Sequence, residues 1–243
     1  GQFRIERGLF LDSSKDGIKV AGGGSQDRAI DGGVIRDIVG QRNIRDLVSI
    51  SGGGKTGFPI RNILVENVRA SDSSRRGAVE VSDGAENITV RNVYAERCVY
   101  AVDVQDHGSP GQTNTNVRVE DITAADCTYA LRTANSAQGH SNLTIRGITS
   151  VRCTAPLLIS HTRKLHLEQV RVIAHPKGEP PVSIAYCEGV TVRDVVIENS
   201  AHDGTGLLLL DSRDVLVDGL SLSDTPGALA SALTYRAATA GAF

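Results

Sequence analysis

Acidic residues recur at fixed places within short apolar runs of this 243-residue chain. Set beneath one another, the runs DGIKV from Asp16, DLVSI from Asp46, GAVEV from Gly77, YAVDV from Tyr100 and YALRT from Tyr129 share an apolar centre. If that central residue turns inward, its successor turns outward, because side chains alternate along a strand. The outward row then reads Lys19, Ser49, Glu80, Asp103 and Arg132, and continues through Leu158, Ser183 and Leu208. Neighbouring strands lie about 4.8 Å apart, so Glu80 and Asp103 are expected side by side, with Arg132 one step beyond.

Two carboxylates at that separation cannot both ionise freely, and the one whose pKa rises is suited to general-acid work. A pair so spaced fits glycoside hydrolysis. The plain alternative is an ion-pair ladder in which Lys19 and Arg132 offset Glu80 and Asp103. A second row, Asp16, Asp46, Gly77, Tyr100 and Tyr129, precedes the first. Its aspartates are either further acids or turn formers, and its tyrosines either a platform for a sugar ring or partners for each other. His107, in the stretch VQDHG, is the acid-base candidate by residue type, with Asp83, Asp106, Asn135 and His161 expected at the same corner. The expected chemical set is Glu80, Asp103, Asp46 and Asp16, and the expected substrate contacts are Lys19, Arg132, His107, Tyr100 and Tyr129. No metal-ligand set is read. Cys98, Cys127 and Cys153 recur at one point of successive units without His or carboxylate at ligand spacing, which suits a column of small buried thiols.

The elements that must position these residues come from a repeat. In NITVRNVYAERCVYAVDV, Asn87 to Val104, three short apolar-alternating runs make one unit. Its first run recurs at Ile63, Ile88, Val117, Leu143, Leu165, Val190 and Val215, separated by 25, 29, 26, 22, 25 and 25 residues. Two less regular units start near Phe3 and Val34. A period near 25 residues and about nine units, stacked as parallel strands, gives a rod on the order of 40 Å long. The period-two alternation and the abundance of Val, Ile and Thr argue for strands rather than helices. Intervening Asn, Asp and Gly suit bends with positive φ. Asn62, Asn87, Asn116 and Asn142 each precede a first run and are expected to bond into an amide ladder. Long turns at 21–33, 51–59, 105–116 and 133–142 all follow the third run and should gather at one corner, as insertions in solenoids do.

The pattern resembles the right-handed parallel β-helix of the pectin-lyase-like superfamily over residues 3 to about 223. A leucine-rich repeat would need its leucine-and-asparagine frame, and a propeller longer antiparallel units. The resemblance implies an all-β, single-stranded right-handed solenoid of about nine rungs occupying residues 1–226, with a part preceding residue 1 and with 227–243 as a C-terminal cap or tail. It also implies action on an acidic polysaccharide or oligosaccharide, by a polygalacturonase-like glycosidase or a polysaccharide lyase, in a groove over the third-strand sheet. For a lyase, Glu80 and Asp103 would hold Ca²⁺ with Arg132 as base or electrostatic partner; for a hydrolase no cofactor is implied. In polygalacturonases the active site occupies the second row, in Asn-Thr-Asp, Gly-Asp-Asp, Gly-His-Gly and Arg-Ile-Lys motifs. Asp16 and Asp46 match single aspartates of the first two. Arg45 stands where the family has its adjacent second aspartate, and Arg75-Arg76-Gly77 where it has its histidine. The alternative function is a non-catalytic stalk, tailspike or adhesin-type glycan-binding segment. A monomer or trimer, secreted or at the cell surface, is expected.

A net charge of −2 and scattered basic residues give no field for nucleic acid, and no apolar run is long enough to span a membrane.

Overall fold

A computed structural model describes residues 2–22, 29–53, 58–107, 112–134, 139–223 and 230–237. Among these there are eighteen strands and no helix. Nine long strands are β1 (Phe3–Leu11), β3 (Ile30–Gln41), β5 (Ile60–Ser71), β7 (Glu86–Glu96), β9 (Asn114–Ala125), β11 (His140–Val151), β13 (Thr162–Ile173), β15 (Glu188–Glu198) and β17 (Arg213–Ser223). They alternate with nine short ones: β2 (Ile18–Ala21), β4 (Val48–Ser51), β6 (Val79–Ser82), β8 (Tyr100–Gln105), β10 (Tyr129–Ala134), β12 (Leu157–Ser160), β14 (Val182–Ala185), β16 (Thr205–Leu210) and β18 (Ser231–Arg236). Long strands pair only with long and short only with short, in two nine-stranded sheets that both follow chain order. The chain is therefore a parallel β-solenoid of about eight turns with a period of about 26 residues.

The repeat positions read from the sequence are true register partners: Ile63, Ile88, Val117, Leu143, Leu165, Val190 and Val215 stand in one column. One feature differs. The first and second runs of each unit do not form separate strands but a single bent one, because pairing continues on both sides of one left-handed residue. That residue is Asn92 in β7 (φ 51°), with Asp37, Asn67, Asp121 and Gly147 at the same bend of β3, β5, β9 and β11. Short polar side chains and glycine tolerate this region where most residues resist it. A second left-handed column, at Asn62, Asn87, Asn116 and Asn142, lies at the second or third residue of β5, β7, β9 and β11.

Alternation then fills the interior. The central residues of the short strands, from Ile18 through Val48, Val79, Val102 and Leu131 to Leu207, are all buried, facing columns such as Val65, Val90 and Val119 from the long strands. Cys98, Cys127 and Cys153 are buried free thiols in one column, the Cys98 amide donating to Cys127 Sγ at 3.4 Å. The asparagine ladder is present: Nδ2 of Asn87, Asn116 and Asn142 donates to Oδ1 of the preceding asparagine at 3.1, 2.8 and 2.6 Å. Asn62 begins it by donating to Asp31 Oδ1 at 2.5 Å.

A second ladder covers the outer face of the long-strand sheet. Glu6, Arg36, Glu66, Arg91, Glu120, Arg146, Glu168, Arg193 and Asp218 are successive register partners, alternating in sign without a break. Within it Arg91 grips Glu66 at 2.7 Å.

The central parts of the four long turns, at 23–28, 54–57, 108–111 and 135–138, lie outside the described residues, and so does Asn135. Of the C-terminal stretch 227–243, β18 adds a ninth strand to the short-strand sheet by pairing with β16, and 227–229 and 238–243 lie outside the described residues.

Candidate functional site

The predicted outward row exists in register. Lys19, Ser49, Glu80, Asp103, Arg132, Leu158, Ser183 and Leu208 are consecutive partners across the short-strand sheet. Its middle is not the open stripe that alternation alone suggests. Ser49, Glu80 and Asp103 are at most 3% exposed, although they point away from the apolar core.

The cover comes from neighbouring rungs. Gly77 leaves a gap in the second row: a Cβ there would stand 2.4 Å from the Tyr100 ring. Tyr100 lies over this glycine and reaches two rungs down, where its hydroxyl donates to Asp46 Oδ1 at 2.6 Å. From the other side Arg132 folds back so that Nη2 donates to Asp103 Oδ2 at 2.7 Å, while its guanidinium sits 4.9 Å from the Tyr100 ring centre and 5.3 Å from that of Tyr129. Such cation–π contacts strengthen when desolvated. Tyr100 is consequently not a sugar platform: it is fully buried and its ring already carries a cation. Tyr129 stays partly exposed at the edge.

The electrostatics follow from this burial. Desolvation first, and the Glu80 charge next, push the Asp46 carboxyl up to about 8, against the Tyr100 hydroxyl bond that favours its ionised form. Burial and the Glu80 charge thus both favour the protonated form of Asp46. Burial also raises Asp103, with Arg132 opposing, and raises the Tyr100 phenol, with the charges of Asp46 and Asp103 adding to the effect. Glu80 differs in that both of its oxygens accept: from Ser49 Oγ at 3.0 Å and from Gln105 Nε2. That is the bonding pattern of an ionised carboxylate. Asp46, which accepts from Tyr100, and Glu80, which accepts from Ser49 and Gln105, thus share one small enclosure.

The other expected residues fall outside it. Asp16 is held by Arg45 at 3.0 Å and Lys19 at 3.9 Å, one rung from Asp46 but in its own ion-paired group. His107 lies just past the C-terminal end of β8 with Nδ1 2.5 Å from Asp83 Oδ1, and Asp83 accepts in turn from Ser51 Oγ at 2.8 Å. Its ring is half exposed and fixed in orientation by that carboxylate.

Sequence reasoning missed Gln105, Ser49 as a donor, and Arg76. Burial weakens the hold of Arg76 on its proton, but the Tyr100 hydroxyl and the charges of Asp46 and Glu80 outweigh it and keep the guanidinium firmly charged. Its signal was the Arg-Arg pair beside Gly77, legible only once the glycine is seen as the gap that Tyr100 fills. Calcium does not fit these carboxylates. Ser49, Gln105 and Arg132 already engage both oxygens of Glu80 and one of Asp103, and no group of three His, Cys, Asp or Glu among the described residues can hold a metal ion.

Comparison with family models, curated proteins and solved structures finds no match to this chain.

Proposed function

We propose that the chain hydrolyses an acidic polysaccharide at the enclosure formed by Asp46, Glu80, Asp103, Tyr100 and Arg132. The observation that carries this reading is the pairing of a carboxyl pushed towards its protonated form, Asp46, with a carboxylate bonded as an ion, Glu80. Hydrolysis of a glycosidic bond needs these two roles: an acid to protonate the leaving oxygen, and a base or nucleophile for the anomeric carbon. Arg132, partly exposed, is the element that an anionic sugar would engage, exchanging its bond to Asp103 for one to the sugar carboxylate and so uncovering the acids. Arg76 and the exposed Lys19 add positive charge on the approach side.

The test is depolymerisation of polygalacturonate and alginate followed by release of reducing ends. Asp46→Asn and Glu80→Gln should each slow cleavage by roughly 10²–10⁴-fold, the usual contribution of an acid or base. Full activity in both variants would sink the proposal. A second reading, a non-catalytic spacer or adhesin, is favoured by one observation, the unbroken alternating-charge column over nine rungs. It takes over if the parent cleaves neither polymer.

A further inference from the structure

A separate groove lies on the outer face of the long-strand sheet. Two cavities, of about 830 and 340 Å³, share Asn87 and Thr89 and so join along the solenoid axis. The amide ladder from Asn62 to Asn142 forms one wall. The floor is a single register row that includes Leu64, Thr89, Arg118 and Thr144. No carboxylate is among the residues lining either cavity, and Arg118, at the centre, has no salt-bridge partner among the described residues.

We infer that this groove binds a single chain of an acidic polysaccharide running parallel to the solenoid axis. Asn87 and Asn116 each donate one amide hydrogen to the rung before and accept one from the rung after, which leaves each a second N–H for a ligand. These donors repeat at the strand spacing of about 4.8 Å, close to the advance of one sugar unit along an extended glycan, so successive sugars would meet equivalent groups. Thr89 and Thr144 supply hydroxyls, and Arg118 between them supplies the cation for a carboxylate. A nucleic acid strand is a poorer occupant, since such strands are gripped by basic grooves with aromatic faces for the bases. Phe3 is the one aromatic side chain on the lining, and the chain is net acidic.

The ligand class is the one named for the reaction, but the site is distinct, and the two can fail separately. The experiment is affinity electrophoresis in gels containing polygalacturonate or alginate, with a single-stranded oligonucleotide as a parallel arm. Wild type and Glu80→Gln should be retarded alike by a polyuronate. Arg118→Glu, on an exposed side chain, should weaken retention about tenfold, the worth of one charge-assisted hydrogen bond, while Arg236→Glu on another face should not. Retention indifferent to Arg118→Glu, absent from both polyuronates, or confined to the oligonucleotide would overturn the inference. Loss of cleavage with Arg118-dependent retention intact would count against the reaction alone.

Discussion

The Tyr100 hydroxyl reaches Asp46 across two rungs of the solenoid, 2.6 Å from Oδ1, by passing over a glycine. Gly77 is thus the condition for the enclosure. In Gly77→Ala the new methyl carbon would lie 1.9 Å from the Tyr100 carbonyl oxygen, a backbone group that cannot turn aside. The variant should lose about 3 kcal/mol or more of stability, read from the midpoint and slope of urea unfolding. A loss under 1 kcal/mol would mean that Tyr100 has another seat.

Asp46 gives stability a pH dependence of known sign. Its folded pKa is raised from 3.8 to about 8, so the folded state binds the proton more tightly than the unfolded state. The contribution is complete below about pH 4 and is lost as pH rises towards 8, where the folded carboxyl must ionise beside Glu80. Asp46→Asn keeps the shape and removes the ionisation. It should flatten the decline in melting temperature between pH 5 and pH 8, and gain most on the parent at the alkaline end. An unchanged slope would show that Asp46 is already ionised in the folded protein.

Arg132 and Asp103 should behave as a unit. Arg132→Ala leaves a fully buried carboxylate without its guanidinium, at a cost of roughly 3–5 kcal/mol. Adding Asp103→Asn should recover much of that, because the orphan then carries no charge. A double-mutant cycle in chemical denaturation measures the coupling, and additive effects would show that the two do not interact.

The alternating column makes a less obvious prediction. Glu66 stands between Arg36 and Arg91, so Glu66→Lys meets like charge on both sides. A loss of about 1 kcal/mol is expected at low ionic strength, fading in about 1 M salt as screening shortens. For an isolated ion pair, exchanging the partners restores the interaction. Here Glu66→Arg with Arg91→Glu sets arginine against Arg36 and glutamate against Glu120, so the exchange should not rescue stability.

The fold was legible because each rung repeats the same alternation, and stacking converts a column of the alignment into a column of space. The row from Lys19 to Leu208 was legible for the same reason. Its burial was not, since alternation says which way Glu80 points but not that Tyr100, anchored on a different rung, closes over the enclosure. The union of the first two runs also escaped the sequence reading, because a single left-handed residue such as Asn92 bends a strand without interrupting its pairing. The charge column was present in the sequence, at intervals of 22 to 30 residues between Glu6 and Asp218. It came into view only with the register of a sheet that carries none of the expected chemistry.

The asparagine ladder has a direction. Every amide donates towards the start of the chain, from Asn142 to Asn116 to Asn87 to Asn62, and the last donates to the carboxylate of Asp31. Four side-chain dipoles therefore add head to tail along the axis, and a negative charge terminates their positive end, as an acidic residue does at the first turn of a helix. No single amide can turn over without setting two donors or two acceptors face to face, so the four flip together or not at all. Along that edge the solenoid has an electrical polarity of its own, independent of the sign of any residue in the charge column.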